Sequence, residues 1–114
     1  MGIQKKSRRS INVDNNSYVW YVSPDADSPY DLLHIASEDK NVILSVPLNV
    51  ETDYVISKGR YFQGKKTSGR WERYLLPMTV DKEITPALVS AVIRWAVDGD
   101  GAVTVNWGGK GLPV

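Results

Sequence analysis

Residues 85–97 read Thr-Pro-Ala-Leu-Val-Ser-Ala-Val-Ile-Arg-Trp-Ala-Val, the longest stretch of the chain with helical character. Thr85 is a typical N-cap, and Pro86 stands at the first helical position, where its missing N–H has no intrahelical partner to lose. Gly99 follows as a candidate left-handed C-cap. These features predict one α-helix over residues 85–97.

The predicted helix is unusually apolar, because only Ser90 and Arg94 are polar between residues 87 and 97. A helix on the surface of a globular protein normally has a wide polar face. We therefore expect Leu88 and Trp95 to be buried against a sheet and Arg94 to be exposed. The apolar flanks of the helix then require cover, either from loops of the same chain or from a second subunit.

Short β-branched and aromatic segments on both sides of the helix predict strands. Turn-forming residues at 14–17 and 38–40 join the first four strands into two hairpins, with Asn41 as a candidate for positive φ and Pro47 as a strand end. The fold class is therefore α+β: an antiparallel sheet of about five to six strands with one helix, about 85–97, packed on one face. The predicted strands cover residues 10–13, 18–23, 31–37, 41–46, 54–57, 71–77 and 102–107.

The length of 114 residues fits one domain, which we place at residues 10–108, with a basic flexible arm at 1–9 and a flexible tail at 109–114. The chain has no cysteine, which excludes disulfides, thiolate catalysis and Cys-ligated metal sites. No apolar run reaches the ~18 residues of a membrane span, and no apolar core follows the basic N-terminus as in a signal peptide. We expect a cytoplasmic protein with no cofactor and no membrane contact.

Three segments carry a family resemblance: Arg-Arg-Ser-Ile-Asn-Val-Asp at 8–14, Tyr-Val-Trp-Tyr-Val at 18–22, and the helical segment 84–96. With them the chain resembles a group of small uncharacterised bacterial proteins, and in size and type it is similar to orphan proteins encoded on integron gene cassettes. The resemblance implies the same hairpin and helix but no activity and no site residue. This chain departs from the pattern after the helix, where Asp98-Gly99-Asp100-Gly101 and a further predicted strand replace a short Trp-Asp-Pro ending.

Charge is distributed unevenly along a chain whose formal net charge is only +1. Residues 1–10 carry four basic side chains, and residues 58–74 carry six basic side chains and one acidic one, whereas the remainder holds four basic and twelve acidic residues. Cations interleaved with aromatic rings are typical of single-stranded nucleic-acid binding. The candidate binding residues in the basic segment are Arg60, Tyr61, Phe62, Lys65, Lys66, Arg70 and Arg73.

The basic segment has two other interpretations. Strand alternation puts Trp71, Arg73 and Leu75 on one face, with Glu72, Tyr74 and Leu76 on the other, so the aromatic rings can belong to the core and the charges to a solvated face. Alternatively, the basic segments of one subunit can meet the acidic loop 25–31 of another.

Catalytic motifs are weak. Residues 59–66 differ from a phosphate-binding P-loop at one position, where Lys66 replaces the Ser or Thr that ligates Mg²⁺. His34, the single histidine, lies in a predicted strand between Leu33 and Ile35 without a nucleophile motif, and we expect it to be hydrogen-bonded to a neighbour. The sequence favours a non-catalytic interaction module, a homodimer or a binder of another protein. The alternatives are nucleic-acid binding through residues 58–74 and a small-molecule or enzymatic pocket.

Overall fold

The structure is a computed structural model that describes residues 8–24, 31–48, 54–67, 71–78, 80 and 84–104. Within these ranges the chain forms eight strands and one helix. The elements are β1 (Arg9–Val13), β2 (Asn16–Pro24), β3 (Asp31–Ser37), β4 (Ile43–Pro47), β5 (Tyr54–Ser57), β6 (Tyr61–Phe62), β7 (Lys65–Lys66), β8 (Glu72–Leu75) and α1 (Pro86–Asp98).

Six of the strands form one antiparallel sheet in the order β1-β2-β3-β4-β5-β8. Strands β6 and β7 form a separate two-stranded hairpin between β5 and β8. Helix α1 packs on one face of the large sheet, which we call the front face, and shares a core with it. The predicted α+β class, strand number and helix are confirmed.

The first hairpin has a tight turn. Asp14 and Asn15 both have positive φ, at 51° and 68°, and Val13 pairs directly with Asn16. Two consecutive left-handed residues define the two-residue turn whose twist matches that of the flanking strands, and Asp and Asn tolerate this conformation well. The turn is therefore shorter than the predicted 14–17.

In the second hairpin, the prediction of positive φ at Asn41 is wrong, because Lys40 takes that conformation instead, at 65°. The Asp39 carboxylate accepts hydrogen bonds from the Ser37 hydroxyl at 2.6 Å and from the Asn41 backbone N–H at 3.0 Å. These bonds hold Asn41 beside Asp39, and the left-handed residue of the turn is Lys40, one residue before the predicted position.

Helix α1 begins as predicted. The Thr85 hydroxyl accepts a hydrogen bond from the Leu88 backbone N–H at 3.2 Å, and Pro86 is the first helical residue. The left-handed conformation predicted for Gly99 is wrong, since its φ is −74°. Glycine is required there for space: its N–H donates to the Trp95 carbonyl, and a Cβ would collide with that same oxygen.

The core lies between α1 and the front face. Arg94 is exposed as predicted, and Leu88 and Trp95 pack against the core but are less buried than predicted. Both are half-buried, because the helix is rotated so that the adjacent stripe points at the sheet. The fully buried helix residues are Val89, Val92, Ile93 and Ala96.

No strand is predicted between residues 58 and 70, but hairpin β6–β7 forms in the centre of this basic segment. Phe62 is buried and stacks on Tyr74 with 4.2 Å between ring centroids, and it meets the Trp95 ring edge-on at 5.3 Å. At the hairpin turn, the Gln63 backbone N–H donates to the Ala96 carbonyl and its side-chain amide to the Trp95 carbonyl, at 2.6 and 3.1 Å. The hairpin thus covers one flank of α1 and satisfies carbonyl groups of its last turn.

Several predicted strands differ from the observed ones at their ends, most of all the two that flank the helix in the chain. The strand predicted over 71–77 spans only Glu72–Leu75. Of the strand predicted over 102–107, the described part contains an isolated bridge between Thr104 and Tyr74, and residues 105–107 lie outside the described ranges.

Candidate binding face on the side of the sheet opposite α1

The strand register gathers alternate residues of the six-stranded sheet on the face opposite α1, which we call the back face. Its middle row is fixed by direct pairing: Tyr21 with His34, His34 with Ser45, Ser45 with Ile56, and Ile56 with Arg73. The row above contains Ser10, Val19, Ala36 and Ile43 and continues by alternation to Lys58 and Trp71. The row below contains Ser23, Leu32, Pro47, Tyr54 and Leu75.

His34 lies at the centre of the back face between two serines. Its Nε2 is 3.0 Å from the Ser23 hydroxyl and its Nδ1 is 3.2 Å from the Ser45 hydroxyl. Ser45 is only 1% exposed, and the Tyr21 ring stacks on the imidazole at 4.8 Å. The prediction that His34 is hydrogen-bonded to a neighbour is confirmed.

A serine beside a histidine is also part of many nucleophilic sites, which need a third group to orient the base and donors for a developing oxyanion. In such sites a carboxylate commonly orients the ring nitrogen that does not face the nucleophile. Here the Ser45 hydroxyl stands at that nitrogen. The cluster therefore has the contacts of a hydrogen-bonded strand histidine.

Two cation–aromatic pairs lie towards opposite edges of the back face. The Arg8 guanidinium carbon is 4.9 Å from the centre of the Tyr21 ring, and the Lys58 Nζ is 4.3 Å from the centre of the Trp71 ring. Trp71 is 62% exposed, although a tryptophan side chain usually hides most of its surface. Each pair places a positive charge against an aromatic ring that points away from the helix.

Among the described residues, the charge of these three rows has one sign, and Glu38, the next residue in the back-face alternation of β3, lies beyond them at the turn. Arg8, Lys58 and Arg73 contribute cations, and no Asp or Glu occupies any of the three rows. The Glu72 side chain belongs to the front face, because Glu72 pairs with Ser57 in the alternate register.

The structure divides the sequence-predicted site residues between the two sides of the sheet. Phe62 is buried in the front core, and Tyr61 is half-buried against that core. Lys65 and Lys66 are exposed on β7, next to the helix, and Arg60 is exposed just before β6. Arg73 alone lies on the back face, and Arg70 is outside the described residues.

Sequence reasoning missed four contributors to the back face: Arg8, Tyr21, Lys58 and Trp71 as a set. Strand alternation around residue 73 predicted that Trp71 and Arg73 share one face, and this is the part of the back face that the sequence indicated. The pairing of β5 with β8 and of β2 with β3 joins them to residues far away in the chain.

An acidic cleft of about 670 Å³ opens at one end of the molecule between the two hairpin turns and the end of α1. Burial raises the pKa of Tyr18 at its wall, and the nearby carboxylates of Asp39, Asp98 and Asp14 raise it further. The Ser37 hydroxyl is the largest cause that holds the pKa of Asp39 below its ordinary value. The cleft is lined by both polar and apolar side chains, namely Asn15, Asn16, Ser17, Tyr18, Ser37, Glu38, Asp39, Asn41, Val42, Tyr61 and Val97.

A second cleft, of about 380 Å³, lies beside hairpin β6–β7. It is lined by Lys65 and Lys66 on one side and by Tyr74 and Asp100 on the other. Burial, followed by the charge of Glu72, raises the pKa of Tyr74. This phenol therefore remains neutral at physiological pH.

Within the described ranges, no group of three or more His, Asp or Glu side chains is arranged to hold a metal ion. Among the same residues, no helix has the length and apolar character needed to cross a membrane. Comparisons with protein-family models, curated proteins and solved structures find no match to this chain.

Proposed function

We propose that this protein is a small non-catalytic binding module and that the back face of its sheet binds an anionic partner. The back face combines three cations with exposed aromatic surface, and its described rows contain no carboxylate. A surface of one charge sign attracts partners of the other sign and raises their rate of association.

The observation that carries this proposal is the convergence of Arg8, Lys58 and Arg73 from three separate parts of the chain onto one face. In a protein of net charge +1, that concentration of positive charge is local. The acidic side chains Asp14, Asp39 and Asp98 lie instead around the cleft at the end of the front side, close to Tyr18.

The contacts of His34 support a non-catalytic role. His34 is the natural acid–base candidate, but serine hydroxyls stand at both of its ring nitrogens and Tyr21 covers a ring face. Those contacts fix the imidazole as part of the sheet.

Elution from a heparin column tests the proposal, because heparin is a general polyanion. The double variant Arg8→Gln, Lys58→Gln should elute at clearly lower salt than the wild type. The matched control Lys65→Gln, Lys66→Gln removes the same charge from the helix side and should elute close to the wild type. Equal shifts for both pairs, or no retention of the wild type at low salt, would contradict the proposal.

Self-association is the second candidate, and the acidic cleft favours it. A symmetric pairing of two back faces would bring like charges together, whereas the back face of one copy and the acidic cleft of the next are complementary in charge. Such a head-to-tail contact forms a ring or an open chain of subunits. Sedimentation at micromolar concentration tests it: salt-sensitive oligomers that Lys58→Gln weakens support it, and a monomer at low salt excludes it.

A further inference from the structure

We infer that the anionic partner of the back face is a single-stranded nucleic acid. This inference rests on the proposed function and adds the class of ligand. It uses only part of the basic segment 58–74, namely Lys58, Trp71 and Arg73, since Phe62 is buried and Lys65 and Lys66 lie on the helix side.

The first argument is the Trp71 ring. It is 62% exposed, and Lys58 Nζ lies 4.3 Å from the ring centre. A flat exposed ring with an adjacent cation offers both interactions that a nucleotide needs, because its base can stack on the ring while its phosphate meets the charge. A purely anionic partner such as an acidic peptide uses only the second of these interactions.

The second argument is the layout of the back face. Tyr21 and Arg8 lie at the β1–β2 side, whereas Arg73 lies on β8 and Trp71 directly precedes that strand. Four strand spacings of ~4.8 Å put β2 about 19 Å from β8. Between these sides the middle row consists of three residues without an acidic side chain, namely His34, Ser45 and Ile56. A nucleic-acid strand that runs across the β-strands therefore meets a cation at each side and no carboxylate of this row between them.

The third argument distinguishes a single strand from a duplex. Stacking on a protein ring needs a base whose face is free, and the bases of a duplex are stacked on each other. The back face is a sheet surface, and the described part of the chain carries no helix on that side to enter a groove. Recognition through an aromatic sheet surface is a general way of holding unpaired bases.

Fluorescence anisotropy with a labelled oligothymidine of about 15 nucleotides, within the usual ~4–16 nucleotide site size, tests the inference. We expect binding at low salt that weakens steeply as salt is raised, because phosphates release counterions on binding. Trp71→Ala should weaken it by roughly tenfold or more, and Trp71→Phe should retain most of the affinity. Because Trp71 is exposed, both variants should keep the wild-type circular dichroism spectrum.

Two controls identify the site and the class of ligand. Lys65→Gln, Lys66→Gln should bind like the wild type, and a duplex of matched length should bind more weakly than the single strand. Absence of oligonucleotide binding at low salt overturns the inference, and so does binding that Trp71→Ala leaves unchanged. If heparin retention still depends on Arg8 and Lys58 in either case, the proposed function survives and only the ligand class fails. If Lys65→Gln, Lys66→Gln abolishes oligonucleotide binding and heparin retention, the inference and the proposed function are both overturned.

Discussion

Ser57 and Ser45 are two buried serines on neighbouring strands, and they differ in what their hydroxyls contact. Ser45 is hydrogen-bonded to His34, whereas the buried Ser57 Oγ has no hydrogen-bond partner among the described residues. A buried polar group without a partner costs roughly 1–3 kcal/mol. The two serines therefore allow a buried hydroxyl with a hydrogen bond to be compared with a buried hydroxyl without one.

We expect Ser57→Ala to raise the free energy of unfolding by about 1 kcal/mol, because it removes that cost and leaves little space. Ser45→Ala should lower the free energy of unfolding by about 1 kcal/mol, since it deprives His34 of a contact. Urea denaturation measures both changes. Equal destabilisation by the two variants would contradict the different roles of the two hydroxyls.

Asp39 makes the turn between β3 and β4 sensitive to acid. Its folded-state pKa is lowered, chiefly by the Ser37 hydroxyl, so its ionised form contributes stability above the unfolded value of about 3.9. That contribution is lost as the pH falls through the folded pKa. We expect Ser37→Ala to return the pKa of Asp39 towards its ordinary value in an NMR titration of the carboxyl carbon. An unchanged titration would show that the Asn41 bonds suffice.

At the scale of elements, Gln63 connects hairpin β6–β7 to the end of α1. Its side chain donates to the Trp95 carbonyl and accepts from the Ala102 backbone N–H at 3.2 Å. The Gly99 backbone N–H and the Gln63 side-chain amide both donate hydrogen bonds to the Trp95 carbonyl at the end of the helix. The segment after the helix is thereby held against the hairpin.

We expect Gln63→Ala to lower the free energy of unfolding by about 1–2 kcal/mol, because two hydrogen bonds of the side chain are lost. The exposed neighbour is the control, and Lys65→Ala should change stability by less than about 0.5 kcal/mol. Thermal unfolding measures both. A Gln63→Ala variant as stable as the control would mean that water replaces these bonds without cost.

The elements predicted from the sequence are those with strong local features. Thr85 and Pro86 mark the helix start, and Asp14 and Asn15 fit a tight hairpin turn. Hairpin β6–β7 could not be predicted in the same way, because two-residue strands carry no period and Phe62 becomes core only through Tyr74 and Trp95. Tertiary packing decides such segments, as it does the rotation of α1 that leaves Trp95 half-buried.

At the scale of the whole molecule, the six-stranded sheet has two unequal faces among the described residues, because α1 packs on only one of them. The front face and α1 share the core, while the back face gathers Arg8, Lys58, Trp71 and Arg73. The sequence indicated a basic aromatic segment, and half of that segment lies on each side of the sheet. The binding face was not predictable as a unit, because it depends on pairing between β2 and β3 and between β5 and β8.

The excess of apolar residues in α1 has an explanation within one chain. Phe62 and Gln63 of the hairpin cover one flank, and the exposed helix line contains the small Ala87 and Ala91 together with Arg94. Arg94 lies 3.9 Å from Asp14 across exposed surface. A second subunit on the helix is therefore not needed to account for its composition.

Mapping amide and indole NMR shifts during an oligothymidine titration tests most directly whether the back face is the binding surface. The largest changes should occur at the Trp71 indole and at the backbone of Tyr21, His34 and Lys58, with little change in α1 or at Lys65 and Lys66. Those two lysines are the internal control, because they are exposed cations on the opposite side of the sheet. Changes confined to hairpin β6–β7, or none at low salt, would contradict the back face as the binding surface.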